Sequence, residues 1–425
     1  MWQRIQRWWN IARTDTAEGY MVCPNCGQLS PVGRCTSCDF DAADPAAVAR
    51  LRVERARLRA SQRAWVQRHL GWANPLLRID WHEHGLFLRM LLRWVLLGTL
   101  VGILAGTASA VFLISLQWAT NLRLEFPSLL FLLPFGGLLI GWTYYRFAGE
   151  AARGNNLVIE EVNLNRGRIP LRMAPMILAG TVLTHLFGGS AGREGTAIQM
   201  GTSLADGLRR LLGLTGADRR MMLMAGISGG FASVFGTPLA GFVFGMEVQS
   251  MGRIRYEGVI PCLTAALVGD LVTRAWGAAH SHYPALPEVA IDPTLLLKVT
   301  LAGIGFGLTS LLFIELTDSI RHVMRERVRW MPLRPLIGGA VIIALTLLLG
   351  TRDYLGLSLP LIQNSVNGTG VETFAFLLKL VFTAITLGTG FLGGEVTPLF
   401  VIGLTLFHWG ARWVLNLRSW PRWAS

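Results

Sequence analysis

Apolar and polar positions are distributed very unevenly along the chain. From about Leu91 the sequence runs in apolar segments: 91–120 first, then stretches near 128–147, 173–188, 196–213, 221–250, 257–275, 293–316, 333–350, 371–391 and 398–416. The first is long enough to cross a hydrocarbon core of about 30 Å, even when tilted. Several others are too short to span, or are interrupted by Gly and Pro. This pattern predicts an all-α polytopic membrane protein with broken, partly non-spanning helices. In transporters, helices broken in this way mark a binding site near the midplane.

Before Leu91 the pattern reverses. Residues 1–22 form a basic aromatic segment in which Trp2, Ile5, Trp8 and Trp9 fall near one helical face. It reads either as a short helix on a membrane surface or as a basic terminus without structure. It leads into polar sequence, so no secretory signal is expected. Asp44-Pro45 looks like a helix start, with Pro in the first turn. Over 45–90 the sequence reads as an Arg-rich helical linker, most regular from Ala46 to Leu70. Leu51, Leu58 and Trp65 repeat every seven residues, and Arg50, Arg52, Arg55, Arg57, Arg59 and Arg63 cover the other faces. It serves as a solvated connector or as a surface helix gripping anionic lipid.

Composition narrows the class. The 425 residues are 52% hydrophobic and only 15% charged, with 48 Gly and a mean hydropathy of +0.44. Soluble domains carry about 25% charged residues, so an ordinary cytosolic or disordered chain is excluded. The net charge of +13 comes almost entirely from Arg. In this chain it fits cytoplasmic loops facing anionic lipid, with the N-terminus in the cytoplasm, and no nucleic-acid partner is expected.

Four of the five cysteines sit in two CxxC pairs, Cys23 with Cys26 and Cys35 with Cys38. Each pair is a tight knuckle offering two thiolates, and two knuckles close a tetrahedral Zn²⁺ site. Residues 23–44 are too short to fold on a core, so the metal would supply the folding energy. Disulfides would require an oxidising compartment, which a cytoplasmic terminus does not offer. The module resembles a zinc ribbon.

The apolar half carries the candidate chemistry. Gly188-Gly-Ser-Ala-Gly192-Arg193-Glu194-Gly195-Thr196 ends one apolar run and opens another, and Gly388-Thr-Gly-Phe-Leu-Gly393-Gly394-Glu395-Val396-Thr397-Pro398 does the same in the second half. Both glutamates stand in a G-x-E-x-T frame. Gly154-Asn155-Asn156-Leu157 precedes the first, and a Gly-containing break at Leu355–Pro360 precedes the second at a matching distance. Two halves of a repeated transporter fold explain this spacing. A Gly-rich break exposes the N–H groups of the helix that follows, which makes an anion site without lysine. A carboxylate in the break is itself an anion. Ionised, Glu194 can occupy the anion position; protonated, it is neutral and can leave. One residue can thus couple proton and anion movement.

Gly192-Arg193-Glu194-Gly195-Thr196 resembles the gating-glutamate motif of the CLC anion channels and transporters. The stretch Gly226-Ile-Ser-Gly-Gly-Phe-Ala-Ser-Val-Phe-Gly236-Thr237-Pro238-Leu-Ala-Gly241 through Glu247 resembles the long motif that follows it in that family. Three features resemble the fluoride-exporting branch: Thr196 where chloride members have Pro, Gly-Asn155-Asn156-Leu in the first anion loop, and Gly-Gly-Glu395-Val-Thr397-Pro with Lys379-Leu-Val-Phe-Thr-Ala-Ile-Thr-Leu-Gly upstream. The resemblance covers residues 91–403 and implies a CLC-type inverted-repeat fold that is a transporter and not an enzyme. It implies a homodimer in a bacterial inner membrane exchanging fluoride for protons, with chloride exchange or a chloride channel as the alternative.

By position in the motifs, Glu194 would be the gate and proton carrier, with Gly192 and Gly195 shaping its loop. Glu395 would be a second acidic group. Asn155 and Thr397 would offer donors to the anion, Asn155 standing where chloride members have Ser. Lys379, one of two lysines, lies in an apolar run at a cost of several kcal/mol unless paired, and the resemblance assigns it no role. Arg193 stabilises its loop, Glu247 ends a helix, and His185, Cys262 and the Phe231–Phe235 pair read as packing. The counterpart of Phe235–Pro238 in the second half would fall beyond Ser425, and residues 404–425 do not resemble the family. The expectation is a shortened second repeat. It leaves a further alternative, an inactive body that tethers the zinc ribbon to the membrane.

Overall fold

The structure is a computed structural model. It describes residues 81–413 apart from 166, 249–254, 279, 281–291 and 368–370, and in the N-terminal part residues 20–22, 29–31, 34, 41, 44–46, 48–50, 53, 56, 57 and 60. The chain divides into two units, Met1–Leu86 and Phe87–Ser425.

In the first unit, strand β1 (Tyr20–Val22) pairs antiparallel with β2 (Leu29–Pro31), Val22 opposite Leu29. A separate antiparallel bridge joins Arg34 to Asp41. Each of these pairings brackets one CxxC pair in the sequence. Cys23, Cys26, Cys35 and Cys38 themselves lie outside the described residues, as do residues 1–19. The Asp44 side chain accepts from Ala46 N at 2.8 Å and its carbonyl from Val48 N at 3.1 Å. This is the helix start that Asp44-Pro45 predicts.

The second unit is helical among its described residues. Helix α1 (Trp81–Glu125) is followed by a tight turn at Pro127–Leu132 and by α2 (Leu133–Thr143). Then come α3 (Asn155–Leu164), α4 (Met173–Leu186), α5 (Glu194–Leu211) and α6 (Ala217–Phe235). Next are α7 (Pro238–Glu247), α8 (Val259–Ala275) and α9 (Pro293–Arg327). The chain closes with α10 (Leu333–Leu349), α11 (Leu359–Asn367), α12 (Ala375–Gly388) and α13 (Val396–Trp413). Among the described residues, 4 helical stretches are long and apolar enough to cross a membrane: Gly85–Glu125, Pro127–Leu164, Tyr256–Ala275 and Pro293–Arg327. Large apolar side chains face outward along them, Leu96, Leu271 and Leu308 among others. Lipid, not water, is the solvent that suits such a surface.

Two sequence expectations shift in detail. The apolar run 221–250 is two helices, because Gly236 turns the chain with φ +71° and Pro238 starts α7 with no N–H to give. Helix α13 runs through position 404, so the helical body continues to Trp413; residues 414–425 lie outside the described part.

Helices α2–α5 and α10–α13 correspond element for element, and the corresponding parts meet. Gly339 of α10 packs against the backbone of Leu133 and Pro134, while Gly137 and Gly141 of α2 pack against Pro335 and Pro332. Small residues allow these backbones to approach within van der Waals contact. The loops before α5 and α13 also meet: Gly192 N donates to Gly394 O at 2.6 Å and Gly394 N to Gly192 O at 2.8 Å, an antiparallel pair. Contacts between equivalent positions place a pseudo-two-fold axis between the halves, as an inverted repeat requires.

Candidate anion site at the meeting of two helix breaks

Helix α4 ends at Leu186 and α5 begins at Glu194, and between them the chain crosses a loop that pairs through Gly192 with Gly394. Glu194 is completely buried. Its Oε2 accepts from Arg193 N at 3.1 Å and from Thr397 N at 3.1 Å. The Thr397 hydroxyl donates to Oε1. The carboxylate of the first break is therefore held at the N-terminus of α13, in the second break. Arg193 Nε stands 4.0 Å from Oε1, its side chain mostly covered.

A third helix end joins these two. Gly154 has φ +58°, a left-handed conformation natural to glycine, and it turns the chain into α3 at Asn155. A Cβ added at Gly195 would come within 2.9 Å of Asn155 Nδ2 and 3.4 Å of Gly394 Cα. Among the described residues, Asn155 Oδ1 is buried without a hydrogen-bond partner. The N-termini of α3, α5 and α13 thus converge on one spot, with backbone N–H groups, the Thr397 hydroxyl and the Asn155 amide directed there. Three positive dipole ends and these donors make a candidate site for a small anion. In this structure the Glu194 carboxylate takes the donors.

The structure brings together Glu194, Gly192, Gly195, Asn155 and Thr397. It does not add Glu395, which is exposed and whose carboxylate makes no hydrogen bond or ion pair among the described residues, although its carbonyl accepts from Leu399 N at 3.0 Å. The reason is register. Gly192 pairs with Gly394, and α5 starts on Glu194 while α13 starts on Val396. The structural counterpart of Glu194 is thus Val396, one residue past the glutamate in the matching sequence frame. That one-residue slip leaves Glu395 ahead of the helix and outside the cluster.

Other residues that the sequence leaves uncast have clear places. The Thr181 and Thr196 hydroxyls share a bond of 2.7 Å, tying α4 to the first turn of α5. A Cβ added at Gly154 would come within 3.6 Å of the Gln199 amide. His185 is a packed residue whose ring nitrogens meet Thr181 O at 2.8 Å and Ala191 O at 3.0 Å. Glu247 ends α7, Cys262 is buried, and Phe231 stacks on Phe244 with ring centroids 4.3 Å apart. A buried cluster locks the far ends of α3, α5 and α6: Arg219 donates to Asp206 at 2.9 Å, to Glu161 at 3.0 Å and to Asn165 at 2.7 Å.

Comparison with known proteins follows the same lines. The model of the family described as voltage gated chloride channel matches residues 136–408. A chloride/fluoride channel protein of Pseudomonas syringae pv. tomato is 47% identical over 320 residues, 74% of this chain and 71% of its own length. An H(+)/Cl(-) exchange transporter ClcA of Vibrio cholerae is 30% identical over 337 residues, 73% of this chain and 70% of its own. The crystal structure of a CLC-type fluoride/proton antiporter superposes with a TM-score of 0.72 at 33% identity, covering 74% of this chain and 80% of that one. A slow cyanobacterial Cl-/H+ antiporter shares the fold, with a TM-score of 0.64 at 20% identity over 77% of this chain and 81% of its own.

Proposed function

The chain belongs to the voltage gated chloride channel family, and on that premise we propose that it exports fluoride in exchange for protons with Glu194 as the gate. Membership makes it an integral membrane anion transporter and not an enzyme. One observation carries the finer reading: the Glu194 carboxylate is held by Thr397 through both its backbone N–H and its hydroxyl. Those donors suit any small, strongly basic anion. When Glu194 takes a proton it loses the charge-assisted part of these bonds, about half their strength, and can withdraw. An anion then inherits the Thr397 and backbone donors, with the Asn155 amide added. Fluoride is the smallest halide and the strongest hydrogen-bond acceptor among them, so it gains most from a hydroxyl and an amide that chloride would use poorly. The 47% identity to a chloride/fluoride channel protein and the likeness to a fluoride/proton antiporter support the same choice.

The test is fluoride efflux from liposomes with simultaneous proton uptake. Glu194→Gln should abolish coupled proton movement, and unchanged coupled efflux would overturn the reading. Chloride added at equal concentration should compete weakly; equal competition would favour the chloride-exchange alternative. Glu395 lies outside the cluster, so Glu395→Gln should reduce coupling less than Glu194→Gln.

The same proposal includes a homodimer in a bacterial inner membrane, the N-terminus cytoplasmic as the Arg-rich segment before Leu91 favours. It also includes a Zn²⁺ ion held by Cys23, Cys26, Cys35 and Cys38. The β1–β2 pair and the Arg34–Asp41 bridge bracket one CxxC each, which suits two knuckles facing one ion.

A further inference from the structure

Lys379 is the residue that neither the motif nor the gate explains. It sits mid-way along α12 and is fully buried. Its Nζ donates to Gly356 O at 2.8 Å, Ser190 Oγ at 2.9 Å, Ser358 Oγ at 2.9 Å and Tyr354 O at 3.3 Å. Among the described residues it has no carboxylate partner. Two of the four oxygens are carbonyls, which only accept. The two hydroxyls have other destinations for their own protons: Ser190 Oγ lies 3.0 Å from Thr383 Oγ1, and Ser358 Oγ donates to Leu355 O at 3.5 Å. The cage thus turns four acceptor oxygens toward Nζ. An ammonium, with three protons, fits it; a neutral amine would face acceptors with its own lone pair.

The four oxygens come from two places. Ser190 belongs to the loop that carries Gly192 and leads into Glu194. Tyr354, Gly356 and Ser358 belong to the break before α11, in the other half. Ser358 is one of two non-glycine residues with positive φ among the described part, at 55°. A serine rarely holds that conformation without support. Ser190 is further fixed by its backbone N–H, which donates to Thr386 Oγ1 at 3.1 Å.

Oxygen cages of carbonyls and hydroxyls around a buried point charge are the usual coordination of an alkali cation. We propose that the Lys379 ammonium is a covalently tethered stand-in for such a cation. It clamps the gate loop of one half to the helix break of the other and so positions the loop that presents Glu194. It is a positioning residue: it touches neither Glu194 nor the anion site. Its consequence for transport rests on the gating role of Glu194, whereas its consequence for stability does not.

The test is cation rescue in the full chain. Lys379→Ala empties the space around the four oxygens. Fluoride efflux should fall about tenfold or more, as loss of a charge-assisted hydrogen-bond set implies, and the melting temperature in detergent should drop. Ethylammonium or Na⁺ should restore much of both. Lys379→Met is one atom shorter, fills most of the space and removes the charge; it should show a raised fluoride KM that the same cations leave unchanged. Lys379→Ala with parental efflux and stability, or a loss that no cation recovers, overturns the proposal. If Lys379→Ala yields no folded protein, Lys379→Met with a parental KM overturns it equally. Failure of Glu194→Gln to uncouple protons would overturn the gate while leaving the cation-dependent melting result standing.

Discussion

At Glu194 a single carboxylate collects donors from both halves of the chain, and each donor can be removed separately. Thr397→Val keeps the shape of the side chain and deletes the hydroxyl that meets Oε1. A hydrogen bond to a charged group contributes about 1.5–3 kcal/mol, which corresponds to roughly ten- to a hundred-fold in an equilibrium or a rate. Fluoride transport should fall within that range, while Thr397→Ser should stay near the parental rate; an electrode-based efflux assay distinguishes them. The residues of this cluster were legible in the sequence because Glu194, Gly195, Asn155 and Thr397 all lie in short Gly-marked motifs. Glu395 stands one residue ahead of the position equivalent to Glu194, and a five-residue frame cannot show on which residue a helix begins. Lys379 was visible as an anomaly, a lysine in an apolar run. Its cage was not, because the oxygens come from positions 190, 354, 356 and 358, and only tertiary folding brings those together.

Among the helices, close approach does most to place the site. On α5 and α6, Gly201 packs on the backbone of Gly226, and Gly230 packs on the backbone of Ala197, one turn into α5 from Glu194. A side chain at Gly230 has no space to enter. Overpacking a tight interface costs about 1–3 kcal/mol or more, and here the displacement would act on the turn that carries the gate. Gly230→Leu should therefore lower the melting temperature in detergent and reduce efflux together. By contrast Gly305→Leu, where an added Cβ meets nothing within 4 Å, should change neither. The sequence announced the Gly-rich stretch from Gly226 to Gly241 without showing which helix it faces. The division at Gly236-Thr237-Pro238 was present as a turn signal inside an apolar run that composition alone joins up. In the N-terminal unit one strand pair and one isolated bridge flank the two CxxC pairs, and a bound metal would supply folding energy to so short a segment. The purified chain should carry stoichiometric zinc by elemental analysis, and Cys35→Ser should lose it.

For the molecule as a whole, the contact of equivalent parts at Gly192–Gly394 and at α2–α10 has a consequence for orientation. A two-fold axis lying in the membrane plane carries each element of one half to the opposite side for the other half. The segment that enters α4 and the segment that enters α12 are equivalents, so they must open on opposite faces. Their sequences agree. The first, 165–172, carries Arg166, Arg168 and Arg172, whereas the second, 368–374, carries Glu372 and no Arg or Lys. The positive-inside rule then predicts Arg168 on the cytoplasmic side and Glu372 on the other. It also agrees with a cytoplasmic start for α1, which follows the Arg-rich linker. Both positions are exposed and can be converted without touching the core. With buried Cys262 as the background thiol of the membrane body, Glu372→Cys should react with a membrane-impermeant maleimide in intact cells. Arg168→Cys should react only after the membrane is opened. Labelling of both in intact cells, or of Arg168→Cys alone, would contradict the inverted arrangement. The opposite topology of two like-built halves is what lets three helix N-termini meet inside the membrane instead of at its surface, so this experiment tests the geometry on which the anion site depends.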